Sequence, residues 1–370
     1  MRGRDPLSSA GLTVAVRIRG RKFRSNVPTD VSPQVEPEEE PAVRVVGPAP
    51  VRGDQPGAAP DHGAAAAAPA PAPEPAAVVE EAPAPAPAAE PAAETRRAAS
   101  LEGVGEVVHG DYVPRPTPRI MAVANQKGGV GKTTTAVNLG AGLAELGFRV
   151  LVVDLDPQGN ATTGLGIDGR TFELSMYDVI MRDAPLEDAV EPTSLKNLFV
   201  VPATIDLAGA EIELVPSFSR ELKLRKALES VAGEFDYILV DCPPSLGLIT
   251  INGLAAADEV LVPIQCEYYA LEGLGQLLRN VHLVQANLNE KLDLSTIVLT
   301  MYDGRTKLAE QVADEVRAHF GNKVCRNIIP RTVRISEAPS FGQPITVFDP
   351  SSRGAIAYRE LAKEVSGGKA

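Results

Sequence analysis

Residues 121–134 read Met-Ala-Val-Ala-Asn-Gln-Lys-Gly-Gly-Val-Gly-Lys-Thr-Thr, and this stretch decides the fold. Its first four residues are an apolar run typical of a buried strand, and the amphipathic stretch 132–146 predicts a helix directly after the loop. A glycine-rich loop between a strand and a helix presents backbone N–H groups to phosphate oxygens, and the helix N-terminus adds its positive end. The sequence therefore predicts a phosphate-binding loop.

Individual residues of this loop have chemical reasons to be there. The glycines permit the backbone to turn inward around a phosphate group. Lys132 has the length to reach β- and γ-phosphates, and the hydroxyl of Thr133 suits Mg²⁺. Gln126 stands where the strict G-x-x-x-x-G-K-[ST] pattern has its first glycine, so the loop is a variant of that pattern. We predict nucleotide binding from the loop and its strand–loop–helix setting together.

Downstream of Pro118, short branched-aliphatic runs alternate with long amphipathic stretches. Such runs are typical of parallel strands that are buried on both faces, and the alternation indicates right-handed βαβ units. We therefore predict an α/β fold with a doubly wound, mainly parallel sheet, helices on both faces, and a ligand at the carboxyl ends of the strands. The predicted strands are Ile120–Ala124, Arg149–Asp154, Leu198–Pro202, Tyr237–Asp241, Glu259–Ile264, Ser295–Thr300 and Val324–Ile329; helices are predicted at Lys132–Leu146, Ser217–Ala232, Leu271–Leu288 and Leu308–Phe320.

The first 118 residues have a different composition. They contain 20 of the chain's 32 prolines and few aromatic or branched-aliphatic residues, so burial cannot offset the entropy of ordering them. We predict a disordered Ala/Pro/Glu-rich tail over residues 1–118 and one folded domain over residues 119–370. The basic block at residues 17–24 is either an arm that contacts DNA or a start region without such a role.

Several protein classes are disfavoured by composition. No apolar run approaches the ~18–20 residues that span a bilayer, and no apolar region follows the basic N-terminus as in a secretory signal. Cys242, Cys266 and Cys325 are an odd, widely spaced set that fits neither a disulfide framework nor a zinc site. We expect a soluble, cytoplasmic protein.

The formal net charge of −12 does not by itself decide whether nucleic acid is a partner. Residues 1–118 carry 12 basic and 16 acidic residues, and residues 119–370 carry 24 and 32, so both parts are acidic. Net charge governs solubility and the distant field, whereas phosphate contacts depend on local patches. Local basic clusters must therefore be considered separately.

The loop Lys127–Thr134 resembles the deviant Walker A loop of the ParA/MinD ATPases, which has an additional lysine at its start. Four further stretches resemble the chromosomal Soj-type ParA ATPases: Asp154–Asn160, Asp241–Ser245, Cys266–Gly273 and Ser336–Pro339. The similarity extends from residue 119 to about residue 365. It implies a P-loop NTPase fold, ATP and Mg²⁺ as nucleotide and cofactor, and slow, partner-stimulated ATP hydrolysis.

The resemblance also assigns roles within the nucleotide site. Lys127 is implied to reach across a homodimer to the partner's ATP, where a cation offsets charge in phosphoryl transfer. Asp156 is implied to orient the attacking water, with Asp154 as a less certain partner, and Asp241 to hold Mg²⁺ through water. The implied catalytic residues are thus Lys127, Lys132 and Asp156, and the implied phosphate contacts are Lys127, Gly128, Gly129, Val130, Gly131, Lys132, Thr133 and Thr134.

Two further regions are assigned by the same resemblance. Pro330 and Thr332 match the adenine-side loop, where Thr332 replaces a more usual asparagine, so backbone contacts to the base are expected. Arg305 and Arg334 match positions that Soj-type proteins are taken to use for sequence-independent DNA contact. Further candidates for this contact are Lys307, Arg331 and Arg353; the alternative for each cation is a solvated loop position.

The function implied is DNA partitioning. The ATP-bound homodimer would bind nucleoid DNA non-specifically, and a ParB-like centromere-binding protein would stimulate hydrolysis and release. A MinD-like positioning switch needs a basic amphipathic C-terminal helix, whereas residues 358–365 are short and mixed in charge. A metabolic ATP-dependent enzyme on the same fold is the other alternative. The tail contains no helix-turn-helix pattern, so operator recognition by residues 1–118 is not predicted.

Overall fold

The computed structural model describes residues 116–267 and 270–368, together with two strands near the N-terminus. These are β1 (Val14–Ile18) and β2 (Arg21–Ser25), which pair antiparallel within the segment predicted to be disordered. Apart from these two strands, the predicted disordered tail lies almost entirely outside the residues that the structure describes. The domain boundary predicted at residues 118 and 119 coincides with the start of the first strand of the large sheet, at Arg119.

The main domain alternates strands and helices in the predicted manner. Its strands are β3 (Arg119–Val123), β4 (Val150–Asp154), β5 (Glu191–Pro192), β6 (Leu198–Val201), β7 (Tyr237–Asp241), β8 (Glu259–Gln265) and β9 (Asp293–Thr300). Its helices are α1 (Lys132–Glu145), α2 (Asn160–Gly164), α3 (Met176–Met181), α4 (Leu207–Glu213), α5 (Lys223–Leu228), α6 (Leu248–Ala256), α7 (Ala270–Asn287), α8 (Lys307–Phe320), α9 (Val333–Glu337), α10 (Ile345–Phe348) and α11 (Arg353–Val365). Short 3₁₀ turns occupy Leu186–Asp188, Arg220–Leu222, Ala232–Glu234, Gly321–Lys323 and Ala338–Phe341.

The seven strands form one sheet in the order β5-β6-β4-β7-β3-β8-β9. Only the short strand β5 runs antiparallel to its neighbour, and the other pairs in this sheet are parallel. Strands β4 to β7 lie on one side of β3, and β8 and β9 lie on the other, as in a doubly wound sheet. The predicted fold class is therefore confirmed, and the carboxyl ends of β3, β4 and β7 lie side by side at one edge.

Both faces of the sheet are covered by apolar side chains. Alternate residues of β3 contribute to different cores: Met121 and Val123 pack with α1 and α11, while Ala122 packs on the opposite side. All of these side chains are fully buried. The near-continuous apolar strands recognised in the sequence are thus explained by helical layers on both faces.

Two predicted elements differ from the structure. The segment 324–329 is not a strand: Val324 makes a single bridge to Ile297 of β9, and the residue after the segment, Pro330, makes another to Tyr302. Its backbone turns aside because the N–H groups of Arg326 and Asn327 donate to the carboxylate of Glu364 in α11, at 2.6 and 3.1 Å. The predicted helix 217–232 is also divided, into a 3₁₀ turn and the six-residue helix α5.

A buried ion pair ties the beginning of the domain to its end. The guanidinium of Arg119 donates from Nε and Nη2 to both carboxylate oxygens of Glu259, each at 2.7 Å, and from Nη1 to the carbonyl of Val365 at 2.5 Å. A buried charge pair of this kind is tolerated because its polar atoms have partners. Within the described ranges, no helix is long and apolar enough to cross a bilayer.

Candidate nucleotide site and basic surface

The glycine-rich loop joins β3 to α1 at the carboxyl edge of the sheet. Gly129 and Gly131 adopt left-handed backbone conformations, with φ of 73° and 87°, which other residues rarely adopt. Gly131 is also the N-cap of α1, and no side chain caps that helix or places an acidic group in its first turn. The N–H groups of the first turn therefore remain available to an anion at the helix N-terminus.

Neighbouring strands hold the loop in place through residues that the motif does not include. Thr300, the last residue of β9, donates its hydroxyl to the carbonyl of Val130 at 2.8 Å. Asn125 donates Nδ2 to the carbonyl of Pro263 at 2.8 Å and accepts the backbone N–H of Lys127 at 3.0 Å. Asn125 is visible in the sequence directly before the loop, whereas no local pattern marks Thr300, which lies 170 residues from its partner.

The two lysines of the loop have different environments. Lys132 is 7% exposed, and its Nζ donates to the carbonyl of Lys127 at 3.4 Å. Burial lowers the pKa of Lys132, and the negative charges of Asp241 and Asp156 partly oppose this. Lys127 is more exposed, and its Nζ lies 3.4 Å from Oε2 of Glu267, which follows β8. Lys132 is thus directed into the site, while Lys127 is at its outer side.

Asp241 ends β7 at the centre of the carboxyl edge, in register with Val123 of β3 and Asp154 of β4. Its carboxylate is fully buried, and neither oxygen accepts a hydrogen bond from any residue that the structure describes. Burial and then the charge of Asp154 raise the pKa of Asp241 well above its ordinary value; the Thr133 hydroxyl and Lys132 act in the opposite direction. Two unpaired carboxylate oxygens beside a hydroxyl suit a hard cation with oxygen ligands, so these residues fit Mg²⁺.

Asp154 is buried as well, but its oxygens have partners. Oδ1 accepts the N–H of Asp156 at 3.1 Å, and Oδ2 accepts both the N–H and the hydroxyl of Thr162, at 2.8 and 2.7 Å. Burial raises the pKa of Asp154 to about 6 despite these hydrogen bonds. Asp154 therefore holds the backbone beyond β4, a role that its position in the sequence did not distinguish from catalysis.

Asp156 lies two residues beyond β4, at the same edge of the sheet as Asp241. It is 8% exposed, and its Oδ1 accepts the backbone N–H of Gln158 at 3.0 Å. Its charge acts on both Lys132 and Asp241, which places it in the electrostatic environment of the phosphate loop. The predicted residues of the phosphate and metal site are thus brought together.

The predicted adenine-side loop follows the segment beside β9. Pro330 bridges to Tyr302 in parallel fashion, and Tyr302 lies two residues beyond Thr300, the β9 residue that donates to the phosphate loop. Thr332 is the N-cap of α9, where its hydroxyl accepts the N–H of Ile335 at 3.3 Å. The side chain thus has a local structural role, and its contact with a base stays a prediction.

The five predicted DNA-contact cations, Arg305, Lys307, Arg331, Arg334 and Arg353, are exposed and are here called the basic cluster. Their segments are joined by backbone contacts: the N–H of Arg331 donates to the carbonyl of Tyr302 at 3.0 Å, close to the loop that carries Arg305. The start of α11 packs closely on α9. A Cβ atom added at Gly354 of α11 would lie only 2.6 Å from the side chain of Ile335 in α9. Arg353, the first residue of α11, therefore lies next to α9, the helix that carries Arg334.

This arrangement has defined chemical capabilities. One sheet edge presents unpaired backbone donors, a buried lysine and an unpaired carboxylate, which together match a nucleotide phosphate group with a bound cation. The basic cluster lies C-terminal to β9: Arg305 and Arg331 are in loops, and the other three cations are in the first turns of α8, α9 and α11. Such exposed cations suit phosphate groups of an extended polyanion without reading its sequence.

The sequence is similar to proteins that have been characterised. The profile described as AAA domain matches residues 118–294. Over 248 residues the chain is 59% identical to the sporulation initiation inhibitor protein Soj of Bacillus subtilis, covering 67% of this chain and 98% of that protein. It is 54% identical over 249 residues to the chromosome partitioning protein ParA of Caulobacter vibrioides, covering 67% of this chain and 93% of that one.

A solved structure has the same fold. Cobyrinic acid a,c-diamide synthase from Mycobacterium smegmatis, with bound ADP and magnesium, is 43% identical and superimposes with a TM-score of 0.59. The match covers 67% of this chain and 93% of the synthase chain.

Proposed function

Because this chain belongs to the Soj/ParA family of chromosome-partitioning ATPases, we propose that it is an ATP-dependent DNA-partitioning ATPase. It hydrolyses ATP and uses Mg²⁺. The observation that supports the proposal best is the pairing, within one domain, of an open phosphate loop and an exposed basic cluster on the segments that follow β9. The nucleotide site supplies the energy source, and the basic cluster supplies a surface for DNA.

In the proposed site, residues 127–134 surround the phosphates with backbone N–H groups, and Lys132 supplies a buried positive charge. Thr133 and Asp241 hold Mg²⁺, with Asp241 acting through water. Bound Mg²⁺ would neutralise phosphate charge and fix the orientation of the phosphate chain. Asp156 orients the attacking water, and Pro330 and Thr332 contribute backbone contacts to the adenine side.

Lys127 has a separate role in this proposal. Its side chain is partly exposed and reaches outward as far as Glu267, so it is positioned to leave its own site. In an ATP-bound homodimer it reaches the partner's nucleotide and offsets negative charge during phosphoryl transfer. ATP thereby selects the dimer, because the γ-phosphate makes contacts that only the dimer completes.

The proposed output is a switch in DNA affinity. Two protomers present two basic clusters, and phosphate contacts make the binding independent of sequence and sensitive to salt. A ParB-like centromere-binding protein stimulates slow hydrolysis, which separates the dimer and releases DNA. Such a protein works in the cytoplasm on the nucleoid.

A metabolic role is the second candidate, since the synthase from Mycobacterium smegmatis is 43% identical. The two functions differ in what controls ATP turnover. A partitioning ATPase is stimulated by DNA together with a ParB-like protein, whereas a diamide synthase consumes ATP only with its carboxylic acid acceptor. Measuring the hydrolysis rate with DNA and a ParB-like protein, and separately with cobyrinic acid, distinguishes them.

Co-sedimentation with non-specific DNA tests the DNA surface directly. The protein is expected to bind DNA with ATP, more weakly with ADP, and with an affinity that falls steeply as salt increases. The double variant Arg305→Glu with Arg334→Glu is expected to lose DNA binding while still forming the ATP-dependent dimer. A control with the same change of charge, Arg170→Glu with Arg225→Glu, should retain binding; equal losses in both would show that the basic cluster is not the DNA surface.

A further inference from the structure

Arg305 is held by a carboxylate two residues earlier in the chain. Its Nε and Nη2 donate to the two oxygens of Asp303 at 2.8 and 2.6 Å, and its backbone N–H donates to Oδ1 at 3.1 Å. The arginine side chain is 89% exposed, so no packing hides it from a ligand. Two of its five N–H donors and much of its charge are nevertheless already engaged.

Arg334 is held in a comparable way from two sides. Its Nη1 donates to Oε2 of Glu337 at 3.1 Å, and its Nε lies 3.4 Å from Oδ2 of Asp349. The guanidinium also lies 5.8 Å from the centre of the Phe348 ring. The two arginines that match the expected DNA positions are therefore the members of the basic cluster whose charge the protein itself offsets.

The remaining members of the basic cluster are less constrained. Within the part of the chain that the structure describes, Lys307, Arg331 and Arg353 form no ion pair. Arg331 is close enough to Asp303 for its charge to contribute to the low pKa of that carboxyl, which is about 2 and is caused mainly by hydrogen bonds from Arg305. Asp303 therefore stays negative at any pH at which the protein would meet DNA.

We infer that Asp303, Glu337 and Asp349 compete with DNA phosphates for Arg305 and Arg334, and so limit the DNA affinity of a single protomer. This inference rests on the proposed function. A phosphate that approaches either arginine must displace a carboxylate or accept its repulsion, so each contact contributes less than a free arginine would. Five cations against three carboxylates leave two net positive charges per protomer, and a dimer doubles that number.

The competition explains why two protomers are needed. Affinity from phosphate contacts depends steeply on the number of phosphates neutralised, with a salt slope of about −0.9 per phosphate. A protomer with few effective contacts binds weakly, and joining two such surfaces raises the affinity through effective concentration. The carboxylates thus keep nucleotide-free protein off DNA while the dimer binds.

The test removes the competing charge and leaves the fold in place. Asp303→Asn retains an oxygen that can accept the N–H of Arg305, so the turn is kept. It is combined with Glu337→Gln and Asp349→Asn, which remove both carboxylates that hold Arg334. In nucleotide-free protein, we expect affinity for a short non-specific duplex at low salt to rise by about tenfold or more, and the salt slope to steepen by roughly one for each arginine released. ATP should then increase DNA affinity by a smaller factor than in the wild type.

A matched control is available in the same chain. Arg170 donates to both oxygens of Asp168 at 3.1 and 2.9 Å, in the same Asp-x-Arg arrangement and with the same 89% exposure, but outside the basic cluster. Asp168→Asn changes the net charge by the same amount as the single variant Asp303→Asn, and it should change DNA affinity little where Asp303→Asn raises it. A rise of equal size in Asp168→Asn would overturn the inference, because net charge alone would then explain the effect.

Two other outcomes separate the inference from the function on which it rests. If Asp303→Asn lowers DNA affinity, and Arg305→Glu also lowers it, the carboxylate positions the arginine and does not compete with DNA. If neither Arg305→Glu nor Arg334→Glu changes DNA affinity, the basic cluster is not the DNA surface and the proposed function loses its DNA site. Circular dichroism and urea unfolding of each variant verify that the fold is retained.

Discussion

The hydroxyl of Thr162 donates to Oδ2 of Asp154 at 2.7 Å and at the same time accepts the backbone N–H of Ala203 at 3.0 Å. One threonine thus joins the carboxyl end of β4 to the segment that follows β6. The neighbouring carboxylate of Asp241 has no such partner among the described residues. Two buried aspartates in register at one sheet edge therefore differ: hydrogen bonds of Asp154 stabilise the backbone, whereas we propose that Asp241 is available to a ligand.

Thr162→Val should destabilise the protein. Valine leaves Oδ2 of Asp154 with a backbone donor only and removes the acceptor of the Ala203 N–H, so the free energy of unfolding should fall by about 1–3 kcal/mol. ATP turnover should also fall, because the backbone that carries Asp156 is less constrained. Urea unfolding and a steady-state ATPase assay measure both effects. Thr162→Ser keeps the hydroxyl and should restore stability and turnover; failure of serine to do so would contradict the hydrogen-bond explanation.

Asp241→Asn should stabilise the nucleotide-free protein while abolishing Mg²⁺-dependent hydrolysis. The buried carboxylate accepts no hydrogen bond from the residues that the structure describes, so removing its charge should raise the free energy of unfolding by about 1–3 kcal/mol. That gain corresponds to roughly 2–4 °C in Tm per kcal/mol for a domain of this size. Thermal unfolding in the presence of EDTA and an ATPase assay with Mg²⁺ give the two readouts. A loss of stability would show that the carboxylate has a structural partner.

The stabilisation by Asp241→Asn should depend on pH. The pKa of Asp241 is raised in the folded protein, so the folded state binds a proton that the unfolded state releases, and wild-type stability falls as pH rises through the folded-state value. Asparagine has no ionisable side chain, so the free energy of unfolding of the variant does not fall with pH for this reason. The difference between the two proteins should therefore be larger at pH 8 than at pH 4, measured by urea unfolding without Mg²⁺. A difference that does not vary with pH would contradict the raised pKa.

Lys132→Ala should abolish nucleotide binding, because it removes the buried positive charge beside the phosphate loop. Lys127→Ala, in the same loop, should retain ATP binding but lose the stimulated hydrolysis that needs the partner's lysine. Isothermal titration with a non-hydrolysable ATP analogue and a stimulated ATPase assay separate the two effects. Normal nucleotide affinity in Lys132→Ala would overturn the assignment of the phosphate site.

Asp156→Ala should bind ATP and dimerise normally but turn over little, because the water-orienting carboxylate is lost while the phosphate contacts remain. Single-turnover hydrolysis measures the chemical step, and size-exclusion chromatography with ATP measures the dimer. Asp156→Asn is the conservative comparison, since it keeps a hydrogen-bonding side chain of the same size. Unimpaired single-turnover hydrolysis in Asp156→Ala would remove the catalytic role.

Most of the fold was predictable because the apolar runs are short and the helical stretches are long. Strands β3, β4, β6, β7, β8 and β9 fall within or close to the predicted runs. The prediction for segment 324–329 was wrong because its apolar composition matches a strand. The backbone N–H groups of Arg326 and Asn327 instead donate to Glu364, 38 and 37 residues away. Local composition carries no information about such a partner.

The phosphate loop was recognisable without a structure, because glycine conformations, lysine reach and the strand–helix junction are all encoded by adjacent residues. The sequence alone determined the α/β class, and from it we predicted the position of the nucleotide site and the division of the chain near residue 118. Only the tertiary structure decided that Asp154 is satisfied and Asp241 is not, that Thr300 supports the loop, and that Arg305 and Arg334 are already paired. The reason is physical: the state of a buried or surface charge depends on partners that folding brings from distant parts of the chain.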